Sequence, residues 1–149
     1  MFNLMQQAQL SELHFKSVPN AQLNAIVAIH SNRRGTALGG CRLLPYKSDT
    51  DAIQDAINLA RSMSYKAALA ELPQGGGKAV IIEPQQSYDR QRLLLAFADF
   101  INELGGRYIT AVDSGTSSKD MDTLANRSQY ITSTSAAGNP SPYTAQGVL

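Results

Sequence analysis

The chain has one cysteine, Cys41, no tryptophan, and two histidines, His14 and His30. A lone thiol excludes an internal disulfide and any cysteine-based metal site. The histidines lack metal-ligand spacing, so no metal is expected. Charge is sparse too: 17% of 149 residues are charged and the net charge is +1. That balance carries no electrostatic footprint for nucleic acid. No apolar run is long enough to cross a membrane. The N-terminus lacks a long apolar core behind basic residues, so no signal peptide is read. The expectation is a cytoplasmic protein folding as one domain of ordinary size.

Against this background, Leu72-Pro-Gln-Gly-Gly-Gly-Lys78 stands out, followed by Ala79-Val-Ile-Ile82. The apolar, β-branched run predicts a strand buried on both faces. Gly75, Gly76 and Gly77 predict a loop that lets another group come close. A lysine held where that loop meets the strand is partly removed from water. This disfavours its charged form and suits acid–base work. A Walker phosphate loop does not fit, because Ala79 stands where Ser or Thr is required. The plain alternative is a glycine turn with an exposed lysine at a strand end.

The remaining pattern alternates strands and helices. Glu12–Val18 alternates by two, Pro19-Asn20 turns the chain, and Leu23–His30 is a more buried strand. The pair predicts an antiparallel hairpin at a sheet edge, a place for another subunit to add its strand. Met1–Leu10 reads as a short helix or an arm. Leu38–Leu43 is strand-like, and Gly39 and Gly40 inside it mark close approach of a ligand or backbone, or a bulge. Ser48 opens a helix running to about Leu72, with Asp51 placed for a capping box. Ala52, Ala56, Leu59 and Met63 step along one face, and the next step lands on Lys66. An inward lysine needs an anionic partner, and a ligand carboxylate would supply one. Alternatively the helix ends near Ser64 and Lys66 reaches outward.

Asp89 caps a second helix that carries Leu93, Leu94, Phe97, Phe100, Ile101 and Leu104, and Gly105-Gly106 stops it. Arg107–Val112 is the next strand, giving a strand–helix–strand crossover with parallel strands. Asp113 at its carboxyl end is either placed for chemistry or caps the helix beginning near Ser118. Parallel strands at Ala79–Ile82 and Tyr108–Val112 would hold Lys78 and Asp113 roughly 15 Å apart, unless the strands are staggered. Tyr130–Thr132 reads as a short strand. Thr132–Thr144 reads as a linker, with Ser141-Pro142 starting a helix. The expected fold class is α/β, a mixed, largely parallel sheet of about five strands flanked by helices.

Five blocks stand in one order: Ala37-Leu-Gly-Gly-Cys-Arg42, Met63-Ser-Tyr-Lys-Ala67, Gly75-Gly-Gly-Lys-Ala-Val-Ile81, Arg107-Tyr-Ile-Thr-Ala-Val-Asp113 and Gly138-Asn-Pro-Ser-Pro-Tyr-Thr-Ala145. Together they resemble the N-terminal, substrate-binding and oligomerising domain of the glutamate/leucine/phenylalanine/valine dehydrogenases, above all the leucine enzymes. The resemblance implies a substrate-binding and oligomerisation domain over residues 1–137. Residues 138–149 would then lead to an NAD-binding Rossmann domain absent from the chain. No Gly-x-Gly-x-x-Gly occurs, so the chain alone is expected to be inactive. Cys41 stands where the family more often has threonine.

The resemblance also implies roles. Lys78 and Asp113 are catalytic, and Lys66 holds the substrate carboxylate. Gly39 and Gly40 line the site through their backbone. Leu38 and Ala111 shape an aliphatic pocket, with Met63 beside them, and Thr144 meets the nicotinamide. The substrate would be a branched or aliphatic L-amino acid, or its 2-oxo acid, and the assembly a homo-oligomer. Two other readings stand beside this one: a non-catalytic amino-acid-binding or assembly module, and a phosphate-ligand site at Gly75–Lys78.

Overall fold

The computed structural model describes residues 1–136. Thr144 and the expected helix start lie outside the described residues. The elements are α1 (Phe2–Ala8), β1 (Glu12–Val18), β2 (Leu23–Ser31), β3 (Ala37–Leu44), α2 (Asp49–Leu69), β4 (Gly75–Ile82), α3 (Arg90–Glu103), β5 (Tyr108–Val112) and α4 (Ser118–Ala125). A 3₁₀ turn at Pro19–Ala21 closes the β1–β2 hairpin, which pairs from Val18↔Leu23 to Glu12↔Ile29.

The five strands form one mixed sheet in the order β1-β2-β4-β3-β5. The β1–β2 and β2–β4 pairs are antiparallel; β3 runs parallel to both β4 and β5. The expected crossover therefore joins strands that are parallel but not adjacent, because β3 lies between them. Tyr130–Thr132 adds only a single bridge, Thr110↔Ile131.

Side chains alternate across a strand, so the sheet has two apolar faces. Val27, Ile29, Ala79 and Ile81 pack against Leu93, Phe97 and Ile101 of α3 and Met121 and Leu124 of α4. Ile26, Ala28 and Val80 pack against Ala52, Ala56, Ile57 and Ala60 of α2. Each fully buried leucine, isoleucine or phenylalanine here contributes about 1.5–3 kcal/mol. Helix α2 lies over β2 and β4 and barely reaches β3. On that side no described helix packs over β5 and α2 only grazes β3, and Leu38, Ile109 and Ala111 remain half-buried.

Two expectations are corrected. The three glycines belong to β4 rather than to a loop before it. A Cβ on Gly76 would lie 2.1 Å from the Ser64 backbone nitrogen, so the glycine lets α2 sit close to the sheet. Helix α2 also continues past Ser64 to Leu69, and its buried positions are Ala52, Ala56, Ile57, Ala60 and Ala67. Lys66 is therefore one residue off the buried stripe and is half-buried.

The helix caps follow the sequence. Ser48 accepts from the Asp51 amide, and Asp89 from the Arg92 amide. Helix α4 is capped by Ser117 in a reciprocal box with Asp120. Asp120 also takes two hydrogen bonds from Arg90, at 3.1 and 2.8 Å. Burial alone would raise the Asp120 carboxyl. The Arg90 bonds and the Ser117 amide outweigh it and hold the group below its usual value. A folded-state value depressed in this way adds stability above the ordinary carboxylate range, near ~3.9. That stability fades as pH falls through the lower folded value. Asp120→Asn is expected to cost about 1–3 kcal/mol at pH 7 and less as pH falls to 2. Urea midpoints of both proteins at the two pH values check this.

No described helix is long and apolar enough to cross a membrane. Among the described residues no group of His, Cys, Asp and Glu is placed to hold a metal ion.

Candidate active site

Cys41 on β3 pairs with Ala79 of β4 on one side and with Val112 of β5 on the other. Those two residues therefore share a level across the sheet. Lys78 lies one position before that level and Asp113 one after it. Their offset along the strands is about 7 Å, which a lysine side chain spans. Because β4 begins at Gly75, Lys78 is mid-strand, and the expected 15 Å separation disappears.

Lys78 Nζ lies 2.5 Å from Asp113 Oδ2, with the lysine side chain 8% exposed and the aspartate 18%. The approach is off the direction of a hydrogen bond, and Asp113 Oδ2 is buried without one. Arg42 Nε, 3.5 Å from the same oxygen, is likewise buried without a hydrogen bond. A buried polar group without a hydrogen bond costs about 1–3 kcal/mol; here the ion pairs among Lys78, Arg42 and Asp113 offset that cost. Burial by itself would raise the Asp113 carboxyl. The Lys78 ammonium, the Ser114 amide and Arg42 together reverse this and hold it below its ordinary value. Asp113 is no helix cap, because Ser117 has that duty. Its backbone amide instead donates to Thr116 Oγ1 at 3.0 Å.

Tyr108, fully buried on β5, donates to the Gly39 carbonyl at 2.7 Å. The Gly40 carbonyl lies 3.2 Å from the same phenol. The β3–β4 ladder has no paired register at these two glycines, between Leu38↔Gly76 and Cys41↔Ala79. A Cβ on Gly40 would lie 2.6 Å from the Asp113 Cβ, so Gly40 makes room for the acid. Tyr108 had no signal in the sequence beyond a tyrosine in a buried strand.

The cleft wall comes from α2. Asp55 pairs with Arg42 of β3 at 3.2 Å. Leu59, Met63 and Lys66 follow Asp55 by steps of four, four and three, so they share its side of the helix. That side overlooks β3; the opposite shoulder carries Tyr65, whose ring meets His30 of β2. Lys66 therefore stands at the rim of the uncovered sheet face. It makes no ion pair or side-chain hydrogen bond among the described residues. Leu38, Gly40, Ala111, Lys78 and Asp113 share that sheet face by strand alternation. Gly39 turns the other way, toward the β4 backbone. Cys41 also faces away, fully buried, and burial followed by the Asp113 charge pushes its thiol well up.

The uncovered sheet face forms an open trough beside α2, with an ammonium–carboxylate pair on its floor, Leu38 and Ala111 on the same face and a second ammonium on the helix at its rim. It offers complementary partners to a small zwitterion with an apolar tail. No described segment forms a glycine-rich dinucleotide cradle.

The chain is similar to known proteins. The family described as Glu/Leu/Phe/Val dehydrogenase, dimerisation domain, matches residues 9–130. The chain is 43% identical over 152 aligned positions to leucine dehydrogenase of Bacillus subtilis, covering 99% of the chain and 42% of that protein. It is 48% identical over 130 positions to valine dehydrogenase of Streptomyces coelicolor, covering 85% of the chain and 36% of the relative. The crystal structure of L-tryptophan dehydrogenase from Nostoc punctiforme superposes with a TM-score of 0.82 at 37% identity, over 88% of the chain and 38% of that structure. The chain thus spans about two fifths of the length of such relatives.

Proposed function

From the premise that this chain belongs to the Glu/Leu/Phe/Val dehydrogenase family, we propose that it is the substrate domain of an NAD-dependent L-amino acid dehydrogenase. The substrate is a branched or aliphatic, leucine-like amino acid. The overall reaction takes the amino acid, water and NAD to the 2-oxo acid, ammonium, reduced NAD and a proton. The observation that carries this reading is the contact of Lys78 with Asp113 on the floor of the trough.

When bound, NAD accepts the hydride. The residues described here do not cradle it, and Thr144 lies outside them, so this chain's contribution is to the amino acid. Lys66 at the rim holds the α-carboxylate. Leu38, Met63 and Ala111 line the side-chain pocket. Asp113, kept ionised, takes a proton from the substrate's amino group. Lys78 stabilises the negative charge that develops on oxygen as water adds to the oxidised carbon.

A homo-oligomer built through the N-terminal strands follows from the same reading. The outer edge of β1 is unpaired among the described residues. Phe15 on β1 is 51% exposed and rims a hollow of about 320 Å³ with Ile26, Ile53 and Ile82. A family described by dimerisation supports a second copy of the chain as the occupant of that edge.

The test is NAD reduction by the full-length protein across a panel of amino acids, with leucine and valine expected to lead and glutamate to fail. Lys66→Ala is expected to raise KM for leucine tenfold or more, with a smaller change in kcat, as for a lost charged contact of about 1.5–3 kcal/mol. An unchanged KM removes Lys66 from the carboxylate site. Titrating ATP against the chain separates the phosphate-ligand reading, for which no binding is expected.

A further inference from the structure

Arg42 stands on β3 between two carboxylates. Its Nη1 donates to Asp55 Oδ2 at 3.2 Å, while its Nε lies 3.5 Å from Asp113 Oδ2. Tyr46 donates to the same Asp55 oxygen at 2.5 Å. Burial and then the bond to Asp55 push the Tyr46 phenol well up, so it remains a donor. The guanidinium is thus anchored to α2 from one side, and its Nε lies 3.5 Å from an acceptor that has no hydrogen bond.

Lys78 is the nearest cation to Asp113, yet under the function proposed above it must also meet the ligand. When it does, the carboxylate loses its closest partner while still largely out of water, and an unpaired buried carboxylate takes up a proton. The groups facing Asp113 are Lys78 from β4, Arg42 from β3 and the Ser114 amide that follows it. The Cys41 thiol and the Tyr108 phenol also lie near it, and burial raises both, so they stay neutral. Helix α2 contributes Asp55, through Arg42. Arg42 is therefore the one cation left to hold Asp113 once Lys78 turns away. A planar fork reaches two carboxylates at once, which a lysine cannot do.

We propose that Arg42 is a positioning residue: its Nε–H is the second partner of Asp113 Oδ2 and holds that carboxylate in the cleft once the Lys78 ammonium engages a ligand, with Asp55 and Tyr46 fixing the guanidinium. The proposal rests on the reading of Lys78 as a ligand-binding group. Its test does not need turnover, so the two can fail separately.

The experiment is a carboxyl-carbon NMR titration of the 149-residue chain, with Asp113→Asn assigning the resonance. Lys78→Met mimics an engaged ammonium. In that background Arg42→Gln is expected to raise the proton affinity of Asp113 about tenfold, and Arg42→Lys to recover only part of the loss. An unmoved midpoint in folded Lys78→Met/Arg42→Gln overturns the proposal. If that variant does not fold, Arg42→Lys in the Lys78→Met chain decides. A lysine cannot span Asp55 and Asp113 at once, so the Asp113 midpoint is expected to rise; no change overturns the proposal. Failure of the amino acid panel would leave these titrations as they are.

Discussion

Lys78→Ala in the full-length protein is expected to lower kcat/KM for leucine about 10³-fold, the scale of one lost acid–base or oxyanion-stabilising group. The fold should survive. Alanine is accommodated mid-strand, and Asp113 keeps the Ser114 amide and Arg42 around it. Far-ultraviolet circular dichroism and the urea midpoint establish that the variant is folded, and steady-state NAD reduction gives the rate. Lys78→Arg should not restore the rate, because a guanidinium spreads its charge over a larger, planar head in a site where the ammonium tip is nearly enclosed. A variant retaining more than about a tenth of the wild-type rate would remove Lys78 from the chemistry.

Gly39→Ala is expected to have the largest effect on the fold itself. A Cβ there would lie 1.6 Å from the Gly77 carbonyl oxygen and 2.6 Å from its carbon. The obstacle is backbone of the neighbouring central strand, so no side-chain rotation relieves it. The β3–β4 contact must open, and the Tyr108 bond to the Gly39 carbonyl opens with it. Overpacking of this kind costs more than about 3 kcal/mol, a large share of the stability of a domain this size. The urea midpoint should collapse or no cooperative transition should remain. Leu38→Ala, one residue away on the open face, should shift the midpoint far less. Equal effects of the two substitutions would show that the close approach at Gly39 relaxes at little cost.

Much of the architecture was legible because its signals are local. The 3.6-residue spacing of α3, the alternation of β1 and the serine and aspartate caps each report on their own segment. Lys78 and Asp113 could be named as candidates from their flanking sequence. Their contact could not, since it depends on register. Whether β4 began at Gly75 or at Ala79 decided if the two groups met, and three glycines read locally as loop became strand because β2 and β3 bond to them on both sides. Past Ala56 the α2 stripe was misplaced by one residue for a related reason. Leucine and methionine outrank alanine in apolarity, yet only alanine is small enough where the helix sits closest to the sheet, so Ala60 and Ala67 took the buried positions. Tyr108 and Arg42 depend on contacts between distant parts of the chain and left no local trace.

Lys78 is held within a ladder-bonded central strand, and Asp113 directly follows a strand paired to the same neighbour. Backbone of this kind is the last part of a domain to open. Under the proposed function, the backbone that carries the two groups is therefore expected to act as an anvil: side chains swing upon it, and the main chain beneath does not set the pace.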